Sequence, residues 1–273
     1  MRAVSLHSDV LVVTSALLQV NCVIVRGAVE GHAVGVPAEE TFVIDSPVLP
    51  DELDALPALL EQAQFPAPSG LLATHGDWDH LLGRLAFPGV ALGCAESTAE
   101  RIAAEPGSAQ RDLRVFDEDL LVARARPLAL GSVQALPVPG YCDIADRQLE
   151  LHPASGHTAD GMAIVIPWAG VVVAGDYLSG VELPTLSEGG DLDAYLVTLE
   201  RLRSLVASAE YVVPGHGPVL DRDRALVVLD EDVGYLTALR ERGAAAGLPR
   251  GRGARAQRLA HAENATRAAR LRR

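Results

Sequence analysis

Short apolar runs and helix-period stripes alternate along the chain, and their order predicts most of its elements. Residues 10–14, 20–26 and 41–45 are rich in β-branched side chains and read as strands. Between the last two, residues 27–40 are rich in Gly, Ala and Glu and read as a long hairpin loop. Leu53, Leu56, Leu59 and Leu60 recur at helical spacing behind Pro50 and Asp51, which predicts a helix over 51–64. Residues 70–74 form a buried-type strand, followed by a polar turn and a helical pattern through Leu85. A strand over 90–93, a helix over 96–104 and strands near Val115, Val122 and over 133–138 are expected next. The later part repeats the alternation, with strands over 149–152, 163–166, 171–174 and 211–213 and helices over 191–207 and 221–240.

Two halves of this kind, with no Pro/Ser-rich linker between them, predict an α/β chain of two sheets covered outside by helices, in one domain over residues 1–240. Beyond it Gly243, Gly247, Pro249, Gly251 and Gly253 break any continuing helix, and a short helical pattern resumes from Ala254. Residues 241–273 are therefore expected to be a basic tail, partly helical or flexible, with no metal ligand and no reacting group. Its removal after Arg240 is expected to leave turnover within about twofold.

Composition narrows the chemistry. With 273 residues and 49% apolar content the chain can bury a sizeable core, so it is not a disordered protein. All 23 basic residues are arginine, which excludes a lysine Schiff base, a lysine general base and a phosphate-binding loop lysine. Residues 240–273 carry ten arginines and two glutamates, a net +8, so the overall −13 leaves −21 on residues 1–239. A body that acidic repels polyphosphate and argues against a nucleic-acid partner, while self-association stays open. Cys22, Cys94 and Cys142 form no Cys-x-x-Cys pair, which excludes a zinc ribbon or a disulfide framework and suits a reducing compartment. The longest apolar stretch, residues 162–174, is broken by Pro167 and Gly170 and is too short to span a bilayer. No basic n-region precedes a small-residue cleavage site, so a cytoplasmic location is expected.

The strongest local signal is Thr74-His75-Gly76-Asp77-Trp78-Asp79-His80, four metal-competent side chains directly behind an apolar strand. A turn at a strand end can aim such groups at one point, which a regular helix cannot. An aspartate there could also cap the following helix, a role that fits Asp79 alone. Three further Gly-flanked turns each follow a strand and offer one group: Gly156-His157, Gly175-Asp176 and Gly215-His216-Gly217. Each is weak alone, and the order of all four carries the signal.

That order resembles the metallo-β-lactamase-fold hydrolase superfamily, whose pattern runs His-x-His-x-Asp-His, then His, Asp and His. The resemblance covers roughly residues 10–240, and His75, Asp79, His80, His157, Asp176 and His216 agree with it. It implies an αββα sandwich of two mixed β-sheets flanked by helices, with a metal site at one sheet edge. It further implies two divalent ions, one held by His75, Asp77 and His157, the other by Asp79, His80 and His216, with Asp176 bridging. Two ions about 3.5–4 Å apart can share a hydroxide and lower its pKa toward about 7, with Asp79 orienting the water. Asp77 departs from the pattern, standing where the family usually has its second histidine. A carboxylate there shifts preference toward iron or manganese, though zinc also accepts aspartate.

The implied activity is hydrolysis of a small-molecule ester, thioester, lactone or lactam. From another class, a mononuclear iron dioxygenase of the persulfide-oxidising type would use His75, His157 and Asp176 as its triad. A phosphodiesterase or nuclease is disfavoured by the body charge, and a non-catalytic metal-binding protein is the fourth reading. Trp78, Tyr141 and Tyr177 flank the site segments and are expected to wall a substrate pocket or donate an O–H to a developing oxyanion.

Overall fold

The computed structural model describes residues 1–28 and 39–271, so most of the loop expected over residues 27–40 lies outside the described residues. Seven strands form the first sheet in chain order: β1 (Arg2–His7), β2 (Val10–Thr14), β3 (Asn21–Ala28), β4 (Glu39–Ile44), β5 (Gly70–Leu72), β6 (Leu92–Ala95) and β7 (Gln134–Leu136). Pairing is antiparallel from β1 to β4 and parallel from β4 to β7. The second sheet runs from β8 (Gly140–Ile144) through β9 (Arg147–Pro153), β10 (Met162–Ile166), β11 (Val171–Gly175) and β12 (Tyr211–Pro214) to β13 (Leu220–Asp221). Only β11 and β12 pair in parallel there.

Alternation along the strands builds the layers. On β2, Val10 and Val12 enter the core between the sheets, while Leu11 and Val13 face outward to helices. Val171 and Val173 of β11 likewise meet the first sheet, and Val172 and Ala174 face the other way. Both faces of each sheet are thus buried, which is why these strands read as continuous apolar runs. Helices α1 (Pro50–Gln62), α2 (Gly83–Ala86), α3 (Glu96–Ala104) and α4 (Ser108–Leu120) cover the first sheet. Helices α5 (Leu192–Ser208), α6 (Arg222–Arg242) and α7 (Arg255–Leu271) cover the second. The result is an αββα sandwich of two mixed sheets. Among the described residues no helix is long and apolar enough to cross a membrane.

The strands expected near Val115 and Val122 are corrected: α4 occupies residues 108–120 and no strand contains Val122. A β-branched residue misled there, because Val115 is on the exposed side of the helix while Leu113 and Phe116 pack inward. The helical pattern through Leu85 resolves into a 3-10 turn (Trp78–His80) and the single turn α2. Strands β1 and β8 went unread because polar residues interrupt them at sheet edges. The segment resuming at Ala254 is the helix α7, and it docks on α6 through Ala265 and Ala268.

Candidate metal centre

Every expected ligand stands just past the C-terminal end of a strand. His75 follows β5, His157 follows β9, Asp176 follows β11 and His216 follows β12, and both sheets deliver these ends to the same edge. Glycine makes the approach tight enough. A Cβ at Gly156 (φ +130°) would collide with the Tyr195 backbone at the start of α5, and one at Gly215 would overlap Asp176 Oδ1.

Two groups of three result: His75, His157 and Asp176, and beside them Asp79, His80 and His216. Asp176 faces both with different oxygens. Its Oδ2 lies 3.3 Å from His157 Nε2 and 3.9 Å from His75 Nε2, and its Oδ1 lies 3.2 Å from His80 Nε2 and 3.4 Å from His216 Nε2. Asp79 Oδ2 closes the second group at 3.4 Å from His216 Nε2 and 3.8 Å from His80 Nε2. Asp77 is outside both groups of three, but its Oδ2 sits 3.5 Å from His157 Nε2 and 3.7 Å from His75 Nε2. Ligands about 2.1 Å from a tetrahedral ion stand about 3.4 Å apart, and these spacings match that edge length.

All four rings point Nε2 inward because Nδ1 is engaged elsewhere. His75 Nδ1 meets Thr74 Oγ1 (3.1 Å), His80 Nδ1 meets Asp45 Oδ2 (2.9 Å), His157 Nδ1 meets the Thr185 carbonyl (2.8 Å) and His216 Nδ1 meets the Leu18 carbonyl (2.8 Å). Partners of this kind fix the tautomer and the ring orientation of a metal-binding histidine. Meanwhile His75 Nε2, His80 Nε2 and Asp176 Oδ1 are buried without a hydrogen-bond partner. Buried polar atoms are rarely left so, and divalent metal ions fit this donor set and would satisfy these atoms.

Opposite charges crowd the site and hold one another ionised. Burial opposes ionisation of Asp176, but His216, His80 and His75 override it and hold its carboxyl well below the usual range. Asp77 is also held well below by His157 and His75 against its burial. Burial likewise disfavours charge on His216, and Asp176, Asp79 and Glu182 outweigh it, raising that ring to about 10. His80, facing Asp45, Asp176 and Asp79, is raised well above its ordinary value despite burial.

Sequence reasoning passed over a supporting layer. Asp45, with φ +57°, accepts from Thr74 N–H (2.8 Å) and Thr74 Oγ1–H (2.9 Å) besides binding His80. Its only sequence signal was an aspartate at the end of a predicted strand. Arg101 on α3 donates to Asp77 Oδ1 (2.8 Å) and to Asp160 Oδ1 (2.9 Å), while Asp160 Oδ2 accepts from Gly76 N–H and Thr98 Oγ1–H. Asp77 thus meets the His75 and His157 rings with one oxygen and a guanidinium with the other.

The expected pocket residues divide. Trp78 packs at a tilt against Phe116 (ring centroids 4.6 Å) and lines an open cavity of about 740 Å³ that also meets Asp77, Asp79 and Arg101. Tyr177 is not available as an oxyanion donor: its hydroxyl accepts from His157 N–H and donates to the Ala154 carbonyl, both at 3.1 Å. Tyr141 stands 63% exposed on the edge strand β8, opposite Glu150, and lines neither the ligand groups nor the cavity. The capping role considered for Asp79 is also absent, since the turn has no side-chain cap and Asp79 faces His216.

The model of the metallo-beta-lactamase superfamily matches residues 17–216. A metallo-beta-lactamase type 2 from Bacteroides fragilis is 29% identical over 105 residues, a match spanning 35% of this chain and 42% of that protein. Among solved structures, a metallo-beta-lactamase family protein from Thermus thermophilus superposes with TM-score 0.67 at 20% identity, covering 98% of this chain and 94% of that one. A metallo-beta-lactamase from Pontibacter korlensis superposes with TM-score 0.59 at 18% identity, covering 84% and 98%.

Proposed function

The chain belongs to the metallo-β-lactamase superfamily, and from that premise we propose that it is a metal-dependent hydrolase of a small-molecule ester, thioester, lactone or lactam. One observation carries this reading: Asp176 turns one oxygen to each of two ring groups, as a carboxylate shared by two ions would. His75, Asp77 and His157 would hold one ion, Asp79, His80 and His216 the other, and Asp176 both. Zinc suits this donor set, and Asp77 opens it to iron or manganese. Bound there, divalent ions supply a Lewis acid and acidify water at neutral pH.

The chain's own groups do the rest. Asp79 borders both the His80–His216 pair and the cavity, so it is the carboxylate placed to hold an attacking water and accept its proton. Trp78, backed by Phe116, forms an apolar wall against which a substrate can lie. The outer cavity wall adds Glu105, Asp112 and Glu188, and its Arg101 is already paired with Asp77 and Asp160. A wall of that sign favours an uncharged or cationic substrate over an anionic one, which supports a lactone or simple ester over a phosphodiester.

The mononuclear dioxygenase reading keeps one observation in its favour, since His75, His157 and Asp176 form one of the two groups by themselves. Elemental analysis of the purified protein together with a substrate panel separates the readings. Two ions per chain and turnover of an ester, thioester, lactone or lactam support the hydrolase. One iron per chain with oxygen uptake overturns it in favour of the dioxygenase, and bound metal with neither oxygen uptake nor turnover of any panel member overturns both readings.

A further inference from the structure

Between β11 and α5 the chain runs from Asp176 to Asp191 without regular secondary structure, yet the His157 ring and the backbone of both His157 and His216 lean on it. The Thr185 carbonyl accepts from His157 Nδ1–H (2.8 Å), Ser187 N–H donates to the His157 carbonyl (2.8 Å), and Ser179 Oγ–H donates to the His216 carbonyl (2.9 Å). A loop with no ladder of its own needs outside partners to keep such contacts in register.

Those partners come from the C-terminal segment. Asn264 on α7, 1% exposed, accepts from Leu186 N–H (2.8 Å) and donates to the Pro184 carbonyl (2.7 Å). Its carboxamide therefore grips the residues on either side of Thr185. Its second N–H reaches the Tyr235 hydroxyl (3.1 Å) on α6, which ties the grip to the helical layer. Gln257 Oε1 accepts from Leu183 N–H (2.7 Å). Arg252, 2% exposed and ion-paired with Asp232 (2.5 Å) and Glu231 (3.0 Å), donates to the Ser179 and Glu182 carbonyls (3.2 and 3.0 Å). A buried asparagine with both ends committed is a specific device, because any slip of the loop would leave it unpaired.

We propose that Asn264, with Gln257 and Arg252 beside it, is a positioning residue of the metal centre: it clamps the 183–187 loop so that the Thr185 carbonyl orients His157. It touches neither ligand nor substrate and acts through one backbone segment. The bonds argue against the expectation that the tail can be cut after Arg240 with turnover within twofold. The metal readout rests on His157 being a ligand, as proposed above, while the loop readout does not.

The test uses the full chain and Asn264→Leu, which keeps side-chain bulk and removes both hydrogen bonds to the loop together with the one to Tyr235. In the metal-free protein, amide hydrogen exchange should speed up at Leu186 and Ser187 while strands β10 and β11 keep wild-type protection. In a zinc titration against a chromophoric chelator, the step belonging to the His75–His157–Asp176 group should weaken about tenfold, the low end for losing an outer partner of a ligand. The Asp79–His80–His216 step should stay within about twofold. Should Asn264→Leu fail to fold, Gln257→Ala on the half-exposed side removes a neighbouring bond to the same loop and should shift Leu183 exchange and the same zinc step in the same direction. Exchange that rises equally everywhere, or not at all, overturns the clamp. Zinc steps that weaken equally overturn the specific tie to His157. A wild-type chain that takes up no zinc sinks the metal reading instead, and the exchange data still decide the clamp.

Discussion

Asp45→Asn is the most informative single change, because one carboxylate supports a ring in each ligand group. Its Oδ1 accepts from Thr74 N–H and its Oδ2 from both Thr74 Oγ1–H and His80 Nδ1–H, all within 2.9 Å. The Thr74 hydroxyl in turn sits 3.1 Å from His75 Nδ1 and, having given its proton to Asp45, accepts from that ring. Asparagine is isosteric and keeps an oxygen for Thr74 N–H, but it puts an N–H donor where Oδ2 received two donors. His80 loses its anchor outright. The Thr74 hydroxyl proton is freed to turn toward His75, which favours the tautomer carrying hydrogen on Nε2, the atom an ion needs bare. Loss of such a partner reduces metal affinity about 10–100-fold, or about 1.4–2.7 kcal/mol, and this should fall on the Asp79–His80–His216 step. The His75–His157–Asp176 step, reached through one intervening hydroxyl, should weaken about threefold to tenfold. Competition titration with zinc and a chromophoric chelator reads both steps, and thermal unfolding of the metal-free protein checks the fold. Wild-type affinity at both steps, in a folded variant, would refute the idea that Asp45 sets these tautomers.

Three further outcomes are expected. Asp176→Ala should retain less metal than Asp77→Ala under the same chelator, since Asp176 faces all four rings and Asp77 only two; equal retention in elemental analysis would remove the bridging role. Asp77→His should shift selectivity toward zinc in a competition with iron and manganese, because imidazole suits zinc better than manganese, and it also strands Arg101 with Asp160 as its remaining carboxylate; unchanged selectivity would count against Asp77 as a ligand. Burial pushes the Asp232 carboxyl up to about 7 despite Arg252. The folded chain then holds a proton that the unfolded chain releases above its ordinary value of 3.8, so the Asp232 contribution to stability should decline as pH rises toward about 7 and then level off. Asp232→Asn should flatten that decline in urea unfolding measured across the window, and an unaltered profile would place its cause elsewhere.

Much of the molecule was legible in the chain itself. Period-two and period-3.6 patterns are local, so the strands at residues 10–14 and 171–174 and the helix at 96–104 emerge where the apolar spacing puts them. The histidines and aspartates at the strand ends were legible for the same reason, since a Gly-flanked turn after an apolar run already says where a side chain emerges. Tertiary structure alone decided which oxygen of Asp176 meets which ring, and that Asp77 is shared between two rings and Arg101. It also decided what anchors the rings. His216 leans on a carbonyl 198 residues away, and Asn264 grips a loop 78 residues before it. Every residue has a carbonyl and all but proline an N–H, so no residue type marks the ones that matter. The tail shows the same limit: Arg252 and Asn264 look like solvated polar residues until folding closes α6 and α7 over them and makes them the partners of an otherwise unsupported loop.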